Sequence, residues 1–130
     1  VPANRVILGH SGDTADLDYL TAMLERGCWL GMDRFGFCDR DLGLEPRVDT
    51  IAALWQRGWG GRLLLSHDLG AYLAFWDSWE TTKNSDYLNL EEDYTFIHRR
   101  VLPALETKGL DREAAEGLLS KNPRAFFEGL

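Results

Sequence analysis

One design repeated three times constrains this chain more than anything else: a short apolar run ending in side chains able to bind a metal or move a proton. The runs are "RVILGH" at 5–10, "CWLGMDR" at 28–34 and "RLLLSHD" at 62–68. Each core is continuously apolar rather than alternating, which marks a strand covered on both faces, as in a parallel sheet. Parallel neighbours need crossovers long enough to hold a helix, and a helical pattern follows each run. After the first, Leu17, Leu20 and Leu24 recur on one face, with Asp13 placed as the N-cap. After the second, a loop rich in Gly and Asp leads to "VDTIAALWQRG", where Ile51, Leu54 and Trp55 keep helical spacing. Gly27 and Gly58 stand where C′ glycines end these two helices. After the third, a long loop over 69–90 precedes "EEDYTFIHRRVLPALETKG". Tyr94, Ile97, Val101 and Leu105 form its expected buried face, and Pro103 its kink. Glu91, Glu92 and Asp93 suit a solvated first turn, where the helix dipole favours negative charge. The tail "DREAAEGLLSKNPRAFF" predicts two short helices, the second capped by Asn122 with Pro123 at N1.

Strand then helix, three times over, predicts the α/β class, as three consecutive βα units. The spacing fits part of a (β/α)₈ barrel or a small doubly wound sheet. The barrel is favoured because barrels carry their functional residues at the C-terminal ends of strands. Here those ends are His10, then Asp33 and Arg34, then His67 and Asp68. A dinucleotide-binding sheet is disfavoured, because no strand runs into a GxGxxG turn.

At 130 residues the chain is long enough to bury a core. Its net charge of −7 argues against a nucleic acid or an anionic membrane as its main partner. No apolar run reaches bilayer-spanning length, and no signal-peptide pattern opens the chain. Cys28 and Cys38 are too few for a disulfide framework, so reduced thiols and a cytoplasmic setting are expected.

Each candidate residue has a functional and a plain reading. His10 offers a neutral imidazole at a rigid strand end, either as a metal ligand or as a partner of the next loop. Asp68 can bind a metal and accept a proton from an attacking water, or cap the turn that follows. His67 either packs or supports a neighbour by a hydrogen bond, with packing favoured. Arg34 is a pocket group or half of a structural pair with Asp33. Tyr72, Phe75, Trp76, Trp79 and Tyr87 in the long loop make an apolar lid or simply cover a rim. Trp55 and Trp59 are expected to pack. Cys38, near the expected pocket, is poor evidence for a metal or a nucleophile.

Four motifs, "ILGHSGDTADLDYL", "GMDRFG", "LLLSHD" and "NPRAFF", resemble in order and spacing the C-terminal half of the phosphotriesterase family. That family, within the amidohydrolase superfamily, includes the phosphotriesterase-like lactonases. The resemblance covers essentially the whole chain. It implies residues 1–130 as a single unit, the C-terminal half of a TIM barrel hydrolase. It further implies two divalent metals, usually zinc, bridged by a hydroxide and a carboxylated lysine. By that resemblance His10 binds the more exposed metal, and Asp68 binds the other and shuttles the proton. Arg34 lines the substrate pocket, and residues 69–90, with Tyr72 and Trp76 as substrate-binding candidates, fall where the family has its strand-eight substrate loop. His67 before Asp68 is closer to the lactonase branch.

The family's other ligands have no counterpart here: the His-x-His of strand one, the lysine of strand four and the histidine of strand five. His98 lies on the last long helix and cannot replace them. Two metals of four or five ligands each need roughly eight to ten positions, of which His10 and Asp68 supply two. The expected function is therefore metal-dependent hydrolysis of a lactone or other ester, with organophosphate triesters as a side activity, in a chain that lacks several ligands. The alternative is an inactive half-barrel that self-associates or pairs with its missing N-terminal half, since three parallel strands leave two edges and bare inner faces.

Overall fold

The computed structural model describes residues 1–35, 42–68 and 94–129. Three parallel strands form one sheet in the order β1-β2-β3: β1 (Ile7–Leu8), β2 (Trp29–Met32) and β3 (Leu63–Leu65). Ile7 is in register with Trp29, and Leu30 with Leu63. The strands are shorter than the apolar runs, because the polar ends bend out of the ladder. Among the described residues five α-helices accompany them: α1 (Leu17–Glu25), α2 (Leu44–Leu54), α3 (Leu102–Thr107), α4 (Arg112–Gly117) and α5 (Lys121–Glu128).

Leu30, Met32, Leu63 and Leu65 join Leu20 and Leu24 of α1, Val48 and Ile51 of α2, and Val101, Leu102 and Leu105 in one buried cluster. At about 25 cal/mol per Å² of apolar surface removed from water, this cluster is the main stabilising term. Coverage on both faces holds for β2, which is buried along its whole length. It fails for β1, where Ile7 is 39% exposed.

Several local expectations change. Helix α1 is capped by Asp16, whose carboxylate accepts from the backbone N–H of Asp18 and Tyr19. Asp13 instead ends a single 3₁₀ turn, Ser11–Asp13, and faces the strand ends. Helix α2 starts at Leu44, ahead of its periodic stretch. It closes in a wide π turn over Trp55–Trp59, with Gly58 at φ 87°. Gly27, at φ 95°, ends the segment after α1 in the expected left-handed conformation. Trp55 and Trp59 pack partly buried against the core. A methyl on Gly60 would overlap the Trp55 ring, so that close approach demands glycine.

The helix expected to bend at Pro103 does so: a π turn over Ile97–Val101 gives way to α3, with Pro103 in its first turn. Ile97, Val101 and Leu105 are buried as expected, but Tyr94 is 55% exposed, its ring set edge-on to His67. The last helix begins two residues early, at Lys121, with Ser120 in the N-cap position. Asn122 therefore does not cap it. Its buried amide donates to the carbonyls of Gly60 (2.8 Å) and Leu63 (2.7 Å), tying α5 to the start of β3. Among the described residues no helix is long and apolar enough to cross a membrane.

Candidate active site

At the C-terminal end of the sheet the three strands release His10, Arg34 and Asp68 at φ 58°, 63° and 54°. Left-handed backbone in a non-glycine residue costs about 1–2 kcal/mol, and such outliers gather where surroundings over-determine them, often at functional sites. These are the only non-glycine residues with positive φ among the described residues. Sequence reading had singled out all three for their chemistry alone.

His10 is gripped by Asp33. The Asp33 carboxylate accepts from the His10 backbone N–H (3.0 Å) and lies 3.1 Å from the ring nitrogen Nδ1. The Asp33 side chain is mostly buried and the His10 side chain half exposed. In a neutral imidazole, a carboxylate on Nδ1 favours the tautomer that leaves Nε2 with its lone pair, the arrangement that commonly supports a metal-binding histidine. Asp33 and Arg34 therefore do not pair with one another, contrary to the plain reading of Arg34.

Arg34 turns to two other carboxylates. Its Nη1 donates to Asp13 Oδ2 at 2.6 Å, and its Nε stands 3.7 Å from Asp68 Oδ2. The Asp13 carboxylate is held from below by Arg47 of α2, whose Nη2 reaches Oδ1 at 2.9 Å. Arg47 is 0% exposed, and it also donates to the Leu42 carbonyl (2.7 Å) and the Asp33 carbonyl (3.0 Å). Gly12 makes room for this, since a methyl there would crowd Arg47 Nη1 and the Asp33 carbonyl. The chain of contacts Arg47–Asp13–Arg34–Asp68 alternates in sign and links the ends of β2 and β3 through the turn after β1.

Sequence reading gives Asp33 as a strand-end residue but not as the partner of His10, and it does not point to Asp13 or Arg47 as parts of the site. Arg47 had a signal: it shares a helix face with Ile51 and Leu54, at i+4 and i+7. A charge on an apolar stripe has to find a partner.

The donor types fit a metal. His10 presents a supported imidazole, and the Asp68 side chain is 47% exposed on a rigid strand end. Among the described residues, however, no group of three or more His, Cys, Asp or Glu is arranged to hold an ion. Tyr72 and Trp76, with Phe75, Trp79, Tyr87 and Cys38, lie outside the described residues. His67 packs its ring against Tyr94 at 5.2 Å between centroids, in keeping with its packing role. His98 is exposed in the Ile97–Val101 turn.

Comparison with known proteins gives this chain a lineage. The chain is 35% identical over 129 residues to the phosphotriesterase homology protein of Mycobacterium tuberculosis, covering 98% of this chain and 38% of that protein. It is 30% identical to the aryldialkylphosphatase of Saccharolobus solfataricus, again over 98% of this chain and 40% of the relative. The solved structure of the phosphotriesterase from Mycobacterium tuberculosis superposes with a TM-score of 0.82 over 98% of this chain and 38% of that one. The chain thus spans under half the length of these relatives, and its three βα units correspond to part of their barrel. Because the phosphotriesterase family model also matches residues 1–127, nearly the full length, this chain belongs to the phosphotriesterase family.

Proposed function

We propose that this chain carries the C-terminal strand ends of a metal-dependent hydrolase that opens lactones or cleaves related esters, with organophosphate triesters as a side activity. The observation that supports it most is the pairing of a carboxylate-supported His10 with Asp68, both in left-handed backbone at one end of the sheet. Two divalent metals, zinc in the first instance, would be held by His10, Asp68 and ligands from the rest of the protein. When bound they supply activation of water near neutral pH and polarisation of a C=O or P=O bond.

The remaining work falls to this chain's own side chains. Asp33 fixes the His10 ring so that Nε2 keeps its lone pair. Asp68 accepts the proton released as water attacks. Arg34, 3.7 Å from Asp68, offers N–H donors to the oxygen of the leaving group or carbonyl. Tyr72 and Trp76 complete the pocket wall in this reading.

The reading is tested by Asp68→Asn in the protein that carries this chain, loaded with zinc and assayed on a lactone, an aryl ester and a phosphate triester. General acid–base catalysis contributes about 10²- to 10⁴-fold. A drop in kcat of at least about 100-fold is expected for whichever substrate is turned over. Unchanged kcat would remove Asp68 from the reaction.

A further inference from the structure

Arg47 lies beneath the candidate site rather than in it, and nothing in the proposed chemistry uses it. Its guanidinium is 0% exposed and all three nitrogens are engaged, with Leu42, Asp33 and Asp13. An apolar side chain on that face of α2, beside Ile51 and Leu54, would avoid the cost of burying a charge. What the guanidinium does instead is specific. Its Nη1 donates to the Asp33 carbonyl, which shares a peptide plane with the Arg34 N–H. Its Nη2 holds one oxygen of Asp13 while Arg34 Nη1 takes the other. One planar fork therefore fixes both the peptide from which Arg34 departs at φ 63° and the carboxylate on which its head rests. Because the Asp33 side chain grips His10, the same fork also anchors the residue that orients the imidazole.

We infer that Arg47 is a positioning residue: through Asp13 and the Asp33 carbonyl it places Arg34 beside Asp68 and holds Asp33 against His10. The inference rests on the proposed ester-hydrolase reading only for its consequence on turnover; the placement itself is a property of this chain. Lysine cannot substitute, because one ammonium on a flexible stem cannot span three acceptors lying in different directions.

The test uses the protein that carries this chain, with variants Arg47→Lys, Arg47→Met and Asp13→Asn. The first readout is the Arg34 Nε–H signal in ¹⁵N NMR, assigned by its loss in Arg34→Lys. In the parent it is expected to be shifted and protected from exchange. In all three variants it should move to the free-arginine position and exchange at least tenfold faster, while the exposed Arg112 signal stays unchanged. The second readout is kinetic, on whichever ester the parent hydrolyses. KM should rise about tenfold with a smaller change in kcat, and adding Arg34→Met to Arg47→Met should cost little more than either alone. If Arg47→Met fails to fold, Asp13→Asn, which keeps an acceptor for Arg47 but loses the shared carboxylate, carries the same expectation. A variant that is less stable yet keeps the Arg34 signal and KM would overturn the inference, leaving Arg47 a structural residue. If the parent hydrolyses no ester, the proposed function fails, and the Arg34 signal alone still decides the placement.

Discussion

Asp68 sits at φ 54°, half exposed, its carboxylate approached by Arg34 at 3.7 Å. A contact so open to solvent contributes little to stability, while the left-handed backbone costs about 1–2 kcal/mol. On balance the residue is held at some expense to the fold, in keeping with the role proposed for it above. Replacing it separates the two. Asp68→Ala loses the carboxylate and keeps the strain; Asp68→Gly loses both and adds about 0.5–1 kcal/mol of unfolded-state entropy. We expect the glycine variant to be the more stable of the two by roughly 0.5–1 kcal/mol in urea unfolding. Equal stabilities would mean that the backbone there relaxes. Residue identity at the strand ends was legible in the sequence, because His, Arg and Asp after an apolar run are chemically conspicuous. Their partners were not. Adjacency leaves Asp33 as one of two options for Arg34, whereas the Asp33 carboxylate is taken by His10 and the Arg34 head by Asp13.

Between elements, the capping duty expected of Asp13 falls to Asp16. Asp13 precedes the periodic stretch and has the composition of a cap, yet Asp16 does the capping and Asp13 bridges Arg34 and Arg47. Losing a cap costs about 1 kcal/mol; leaving a buried guanidinium without its carboxylate costs roughly 3 kcal/mol or more. Asp13→Ala should therefore destabilise the protein clearly more than Asp16→Ala, read from denaturant midpoints at equal slope. The reverse order would restore Asp13 as the cap. A similar exchange occurs at the other end of the chain. Asn122 reads as a cap before Pro123, but its amide satisfies the Gly60 and Leu63 carbonyls. Stranding two buried acceptors costs about 1–3 kcal/mol, which is the loss predicted for Asn122→Ala. A loss below a few tenths would show that water takes over both carbonyls. Capping propensity ranks residues by local chemistry and has no knowledge of a carbonyl some sixty residues away.

At the scale of the molecule, the three strands form a sheet whose outer members pair on one side only among the described residues. Ile7 on β1 is 39% exposed, and an apolar strand edge is a template for further pairing. Among the described residues, no group of three or more His, Cys, Asp or Glu is arranged to hold an ion. Both facts bear on one experiment: sedimentation velocity and zinc content measured together on the 130-residue chain by itself. We expect species larger than a monomer with fewer than two zinc ions per chain. A monomer holding about two would show that the described strand ends need no further ligands. The alternative of an inactive, self-associating half would be favoured by association that persists when the rest of the protein is supplied.

By itself the sequence determined the order of strands and helices, the parallel sheet and the end of the sheet at which His10, Arg34 and Asp68 sit. These follow from the length and continuity of apolar runs, which act locally and survive any detail of packing. The tertiary structure decided which charge meets which: Asp33 on His10, Asp13 between two arginines, Arg47 buried beneath them. Such pairings depend on distances between residues 21 to 34 positions apart. Only the closing of the βα units brings those residues within hydrogen-bonding reach, so no local pattern along the chain records them.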